Sequence, residues 1–378
     1  MKRLEREINS EVKARWPAGM VRRVTVLQHG DDPAIGPDDL LVRVFVEAGG
    51  ESEDYQRSLD EWAQAHRAAM KRVRRELSLR LPEARLAAGE YDRLDEEALA
   101  ERLTSDLHEV CDDKHLRVGT MPPRPTRPKP GEPSVPGPAP RPPAGPGPGL
   151  RPRNYGIYRA ERLDGNVGYL DVRGVPGPEE AGPVIAAAME LIAGTYALII
   201  DLRRNHGGSP HAVVLWCSYF FPDGGTHLND IFHADTGETR QFWSLAYLPG
   251  SRYLDRPVYL LTSSETFSGG EDFAYTLQAQ GRAEVIGETT GGGAHPTRMI
   301  PISATMSISV PFARSVNPVT GTNWQGTGVI PDTAVPAADA HDVAFRKALQ
   351  HVLSTTVPPP IADEAREALA ALPSEDQP

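Results

Sequence analysis

The sequence predicts an α/β fold with a mostly parallel sheet, and three observations predict it. Two continuous apolar runs, Ala197–Ile200 and Val258–Leu261, read as strands buried on both faces, since a strand with one wet face alternates apolar with polar residues. Each run gives way to a polar, glycine-bearing loop and then to a helical pattern. Repetition of that strand–loop–helix unit builds parallel sheets with right-handed crossovers. The glycine-rich loops also fall at strand C-terminal ends, where such sheets place their sites.

Residues 1–82 read as a small helix–strand–strand–helix unit without a catalytic constellation. Leu4, Ile8, Val12 and Trp16 recur every four residues, as on one face of a helix. Strand-like runs Val21–Leu27 and Leu40–Val46 flank an Asp/Pro/Gly-rich turn. A long basic helix over 53–80 carries Leu59, Trp62, Ala63, His66, Met70, Val73 and Leu77 in one stripe, and its Arg/Lys run reads as a solvated face.

Residues 83–120 form a helical piece. Leu94, Leu99, Leu103, Leu107 and Val110 are the apolar positions of a helix near 95–110, and His115 lies just past its end, before a short extended stretch. A lone histidine at such a place is ordinarily structural or solvated.

Residues 121–153 read as a linker. The stretch 122–152 holds 14 prolines among 31 residues, which suits an extended, polyproline-like tether. Pro-Thr-Arg-Pro and Pro-Ala-Pro-Arg-Pro-Pro would also suit a proline-recognition domain as partner, though a plain tether is the simpler reading.

The packed core is expected over 154–355. Val167–Val172 alternates as a strand, and Pro178–Ala193 reads as a helix with Val184, Ile185, Ala188, Leu191 and Ile192 inward. The run Ala197–Ile200 leads through Asn205–Ser209 into a helix near 210–221, and a hairpin-like insertion spans about 225–250. Val258–Leu261 then hands over through Thr266–Glu271 to a helix carrying Phe273, Ala274 and Leu277. Strands near 298–303 and 306–312, a closing helix at 339–353 and a tail over 356–378 complete the chain.

A net charge of −11 argues against a nucleic-acid partner, because neutralising phosphates needs a basic surface. Two cysteines in unrelated segments make no disulfide framework. No run approaches the ~18 apolar residues of a membrane span, and the charged start, Met-Lys-Arg-Leu-Glu-Arg-Glu, lacks the apolar segment of a signal peptide. A cytoplasmic protein is therefore the expectation, and homo-oligomerisation is compatible with the sequence.

Ser268 sits where a buried strand hands over to a helix N-terminus, with Gly269 and Gly270 behind it. That place exposes a hydroxyl, offers free backbone N–H groups and adds the positive end of the helix dipole, as a nucleophilic serine requires. The alternative use is structural, since Ser268 and Glu271 fit an S-x-x-E capping box. The loop Arg204-Asn-His-Gly-Gly matches neither a Walker loop nor a dinucleotide fingerprint. His206, His211, His227, His233 and His295 fit no metal-ligand spacing, so neither metal nor cofactor is expected.

Four motifs occur in order: Leu198-Ile-Ile-Asp-Leu-Arg-Arg-Asn-His-Gly-Gly, Thr266-Phe-Ser-Gly-Gly-Glu, Gly287-Glu-Thr-Thr-Gly-Gly-Gly-Ala-His-Pro and Gly326-Thr-Gly-Val-Ile-Pro-Asp. Together with Leu103–Val118 they resemble the serine peptidase family of the C-terminal processing (tail-specific) peptidases, the tricorn core and the interphotoreceptor retinoid-binding protein. The resemblance covers roughly 85–120 and 154–340 and implies a crotonase/ClpP-like core without a PDZ domain. It also implies a peptide or protein substrate. The tail-specific branch pairs its serine with a lysine in a Gly-Lys-Gly loop. Here that loop reads Gly291-Gly292-Gly293, and no lysine lies between Ser268 and Gly293. The retinoid-binding-protein-like and tricorn-like branch instead uses a histidine from the N-terminal helical piece, a place that His115 matches.

By this resemblance Ser268 is the nucleophile and His115 the base. Gly269 with Gly207 and Gly208 form the oxyanion hole, and Gly291, Gly292, Gly293 and His295 line the substrate site. The family's orienting glutamate is replaced by Gln325, which can hold a hydrogen bond but cannot stabilise an imidazolium by charge. A non-catalytic protein binding a hydrophobic ligand or peptide is the other function the resemblance allows.

Overall fold

The computed structural model describes residues 20–28, 40–47, 85, 88–109, 111, 113–121, 150–234, 236–303 and 305–373. The helices expected over 1–16 and 53–80, and nearly all of the proline-rich stretch, lie outside the described residues. Two compact units emerge, one of residues 1–127 with 297–312 and one of 128–296 with 313–378. The strands expected near 298–303 and 306–312 thus group with the N-terminal segments rather than with the core.

In the first unit β1 (Met20–Gln28) pairs antiparallel with β2 (Leu40–Glu47), from Met20 opposite Glu47 to Gln28 opposite Leu40, with a register shift between Val21 and Arg23. Helix α1 (Glu96–His108) starts at Asp95, whose carboxylate accepts from the Ala98 N–H at 2.9 Å, and Glu96 and Glu97 complement the dipole in its first turn. It leads to β3 (Arg117–Thr120). That strand pairs with β12 (Met306–Pro311), which pairs in turn with β11 (Thr297–Pro301), all antiparallel. Ala100, Leu116, Val118, Met306, Ile308 and Val310 form a buried cluster with Leu99, Leu103 and Leu107 packed against it. Leu99, Leu103 and Leu107 are among the positions the helical spacing marked as apolar in α1.

The second unit is built on a six-stranded sheet. In chain order its strands are β4 (Ile157–Leu163), β5 (Val167–Val172), β6 (Ala197–Asp201), β9 (Val258–Thr262), β10 (Glu284–Gly287) and β14 (Thr333–Ala334), and across the sheet they run β14-β10-β9-β6-β5-β4. All neighbours are parallel except β4 and β5. Every residue of β5, β6 and β9 is buried, as the apolar runs of β6 and β9 require; β5, expected to alternate, is buried on both faces as well, its Asp171 held by Arg173.

One face of this sheet, with Val167, Tyr169, Ile199 and Leu261, packs on α5 (Ala340–Ser354) and α6 (Pro359–Ala371). Helix α6 replaces most of the tail expected over 356–378, and its Ala365 is fully buried. Helix α2 (Pro178–Ile192) buries Ala181, Ile185, Ala188, Met189 and Ile192. Leu191, expected inward, is 62 % exposed. The stripe runs from Ile185 through Ala188 and Met189 to Ile192, and Leu191 lies a step of the helix away from it.

Helices α3 (Pro210–Ser218) and α4 (Gly269–Ala279) meet through Trp216 stacked on Phe273, with ring centroids 5.8 Å apart. The insertion after α3 forms a hairpin of β7 (His227–His233) and β8 (Thr239–Trp243), joined on the β7 side by β13 (Ala313–Val316). Among the described residues no helix is long and apolar enough to cross a membrane.

Candidate active site

Ser268 caps α4 at φ +55° and ψ −121°, a left-handed conformation that costs a non-glycine residue about 1–3 kcal/mol and survives only where its surroundings enforce it. The surroundings are visible. The Ser268 N–H donates to Glu271 Oε2 at 2.7 Å, and the Ser268 carbonyl accepts from the N–H groups of Glu271 and Asp272 at 2.9 and 3.0 Å. The Phe267 N–H donates to the Asn205 carbonyl at 2.9 Å, and the Thr266 hydroxyl donates to the Leu202 carbonyl at 2.8 Å. Ser268 itself is only part-buried, on a sharp strand-to-helix turn that turns its side chain outward.

The loop after β6 lies directly against it. A methyl added to Gly207, which sits at φ +94°, would come within 2.7 Å of both the Gly269 nitrogen and Ser268 Cβ. One added to Gly269 would lie 3.0 Å from the Gly208 nitrogen, and one on Gly208 would strike the Val175 carbonyl at 2.2 Å. Only glycine allows the two loops to touch here. Buried Asn205 fixes the approach: its Nδ2 donates to the Val172 carbonyl at 2.9 Å and its Oδ1 accepts from the Gly207 N–H at 2.9 Å.

That last bond corrects the expected donor set, because the Gly207 N–H is already used by the protein. The N–H groups of Gly208 and Gly269 make no hydrogen bond among the described residues. They lie beside Ser268 at the positive ends of α3 and α4, an arrangement suited to a developing oxyanion.

The glycine triplet serves the fold rather than exposing its own donors. Gly291 N–H donates to the Thr266 carbonyl at 2.9 Å, Gly292 N–H to Glu271 Oε1 at 2.6 Å and Gly293 N–H to Glu271 Oε2 at 2.8 Å. The Thr290 hydroxyl also donates to Glu271 Oε1, at 2.5 Å, while accepting from the Val329 N–H at 2.7 Å. Fully buried Glu271 therefore gathers four donors and ties the Ser268 turn to the third and fourth motifs. Burial pushes its carboxyl above the ordinary glutamate value, while Thr290 and the N–H donors of Gly293, Gly292 and Ser268 pull against that push. The sequence offered only a capping box at this residue; the signal missed was that a glycine triplet leaves bare N–H groups in search of an acceptor.

Gln325 also holds this loop, its Oε1 accepting from the Ala294 N–H at 2.7 Å, and its buried Nε2 has no hydrogen-bond partner among the described residues. His295, at the end of the loop, is half-buried. Asp201 and Arg203 of the first motif are scaffold. Arg203 grips Asp201 at 3.0 and 2.6 Å, and although burial alone would raise the Asp201 carboxyl, that guanidinium holds it below its ordinary value.

In the first unit His115 lies in the turn between α1 and β3 and is 9 % exposed. Fully buried Asp113, which the sequence reading passed over, accepts from the His115 N–H at 3.0 Å, and the same oxygen stands 3.6 Å from His115 Nδ1.

Residues 166–335 match the model of peptidase family S41, and the resemblance read from the four motifs holds for this segment. Among solved structures the chain is similar to the photosystem II D1 C-terminal processing protease, at 23 % identity over 45 % of this chain and 42 % of that one, with a TM-score of 0.36. It is also similar to a putative peptidase from Parabacteroides merdae, at 18 % identity over 70 % and 87 % of the two chains and a TM-score of 0.47. A putative S41 protease from Bacteroides fragilis matches at 18 % identity over 57 % of each chain, with a TM-score of 0.44. The chain thus spans less than half the length of the first of these and a little over half of the third.

Proposed function

We propose, from the match of residues 166–335 to peptidase family S41, that this chain is a serine endopeptidase working through an acyl-enzyme on Ser268. The observation that carries this reading is the strained Ser268 turn with the unspent N–H groups of Gly208 and Gly269 beside it. In this mechanism Ser268 Oγ attacks the scissile carbonyl while His115 takes its proton. The two N–H groups hold the oxyanion, His115 returns the proton to the leaving amine, and water then releases the acyl group by the same steps. The choice of His115 rests on the family resemblance, and Asp113 beside its Nδ1 side would serve as a positioning residue for the ring. A fluorophosphonate probe should label the wild-type chain on Ser268, and labelling should vanish in Ser268→Ala and His115→Ala. An unlabelled, folded wild type would refute the assignment.

A second reading, a non-catalytic protein binding a peptide or hydrophobic ligand in the same cleft, is favoured by one residue. Gln325 stands where the resemblance calls for a glutamate. Its amide keeps the bond to Ala294 that a carboxylate would make, so restoring the charge should not disturb the loop. If the chain is a peptidase weakened at this point, Gln325→Glu should raise the labelling rate by roughly tenfold or more. No change would favour the binding protein.

A further inference from the structure

The loop that carries Gly207 and Gly208 also carries charge that the peptidase reading leaves unused. Between Leu202 and Leu215 stand Arg203, Arg204, His206 and His211 without a single Asp or Glu, in a chain whose net charge is −11. Arg203 is matched by Asp201. Arg204 is not matched. Its one ion-pair partner among the described residues, buried Asp171, is already gripped by Arg173 at 3.0, 3.1 and 2.7 Å. Arg204 Nη2 makes a single 3.4 Å contact to the same carboxylate, and its side chain is 55 % exposed. Two guanidinium groups on one carboxylate leave one positive charge over. Next along, Asn205 turns its side chain into the protein, so its neighbours Arg204 and His206 turn outward, and both are exposed. His206 makes no hydrogen bond among the described residues. Of the acids close to Ser268 in the chain, Glu271 is fully buried and taken up by its four donors, and Glu265 is exposed and forms no ion pair among the described residues, so neither neutralises this rim.

The position gives this surplus a target. His206 precedes the glycine packed on Ser268, and Arg204 is three Cα steps from that glycine, at most about 11 Å. We propose that Arg204 and His206 form a subsite that binds a carboxylate of the peptide close to the scissile bond. The fork of Arg204 suits the two oxygens of such a group and the His206 ring adds a third donor. An acidic side chain and a free C-terminus present the same chemistry. The proposal deepens the peptidase reading and rests on it only for the claim that the bound peptide is cut.

Binding can be read without cleavage, on the full-length Ser268→Ala protein. Fluorescein-labelled ten-residue peptides would carry one Glu scanned through the central positions, each with a Gln counterpart and each as the free acid and the C-terminal amide. By anisotropy, one Glu register should bind about tenfold more tightly than its Gln partner. The difference should disappear in Arg204→Gln combined with His206→Gln. Arg204→Glu should turn the preference at that register toward Lys, a gain that misfolding cannot imitate. A preference that follows the free C-terminus instead of the Glu register would assign the carboxylate to the chain end. Equal binding of every pair, including no measurable binding of any, overturns the proposal, as does a preference that survives the double substitution. Intact preference without cleavage by the wild type would refute the peptidase reading alone.

Discussion

Replacing Glu271 by alanine is expected to destabilise the second unit by about 3–5 kcal/mol, the range in which removing one partner of a buried polar network falls. The Glu271 carboxylate accepts from the Thr290 hydroxyl and from the N–H groups of Ser268, Gly292 and Gly293, all between 2.5 and 2.8 Å. Thr290 can turn its hydroxyl elsewhere, but the three backbone N–H groups cannot, and each donor stranded out of water costs about 1–3 kcal/mol. For a domain of this size the loss corresponds to roughly 10 °C in Tm. The Ser268 turn should suffer first, since the bond from its N–H to Glu271 helps to enforce its left-handed φ. Fluorophosphonate labelling should therefore fall at temperatures where the variant is still folded. Glu271→Gln keeps one acceptor oxygen but points an NH2 group at the remaining donors, so it should lie between wild type and alanine. A Glu271→Ala protein melting within 2–3 °C of wild type would show that the carboxylate does not carry this network.

Much of this arrangement was legible in the residues, and what was not legible has a common cause. Strand runs such as Ala197–Ile200 and Val258–Leu261 declare themselves because burial on both faces leaves no room for a polar residue. The turn at Ser268 was recognisable because an apolar run breaking into small polar residues and glycines marks the handover from strand to helix. Pairings that close across the chain were not legible. A capping box is satisfied within four residues, so nothing local reveals that Glu271 also serves Thr290, Gly292 and Gly293 some twenty positions later. In the same way, the pair Gly207-Gly208 suggests two donors, and only the side chain of Asn205 shows that one is spent. Helix α6 was overlooked although it was legible: Ile361, Ala365, Ala368 and Leu369 recur at helical spacing and pack on the core, with Ala365 fully buried.

Asp272, directly after that glutamate, should make the protein less stable as the medium turns from acid to neutral. It is 6 % exposed, and no cation pairs with it among the described residues. The groups that face it are neutral: Asn229 Nδ2 on β7 donates to both carboxylate oxygens at 3.2 Å, the Thr276 hydroxyl on its own helix donates at 3.2 Å, and the buried Cys217 thiol comes from α3. Burial raises the Asp272 carboxyl to about 7, with Thr276 and Asn229 only partly offsetting it. A proton held more tightly in the folded than in the unfolded chain stabilises the fold. That contribution is complete below the unfolded value near 4, fades as pH rises, and is lost above the folded value near 7. With about three units between the two values, as much as roughly 4 kcal/mol is at stake. Asp272→Asn keeps the shape and removes the titration. Its stability relative to wild type, from urea midpoints between pH 4.5 and 8, should therefore climb steadily to about pH 7 and then level off. A difference that stays flat across this window would mean that Asp272 titrates as an ordinary carboxylate, and that the helix capped by Ser268 tolerates a buried charge in its first turn.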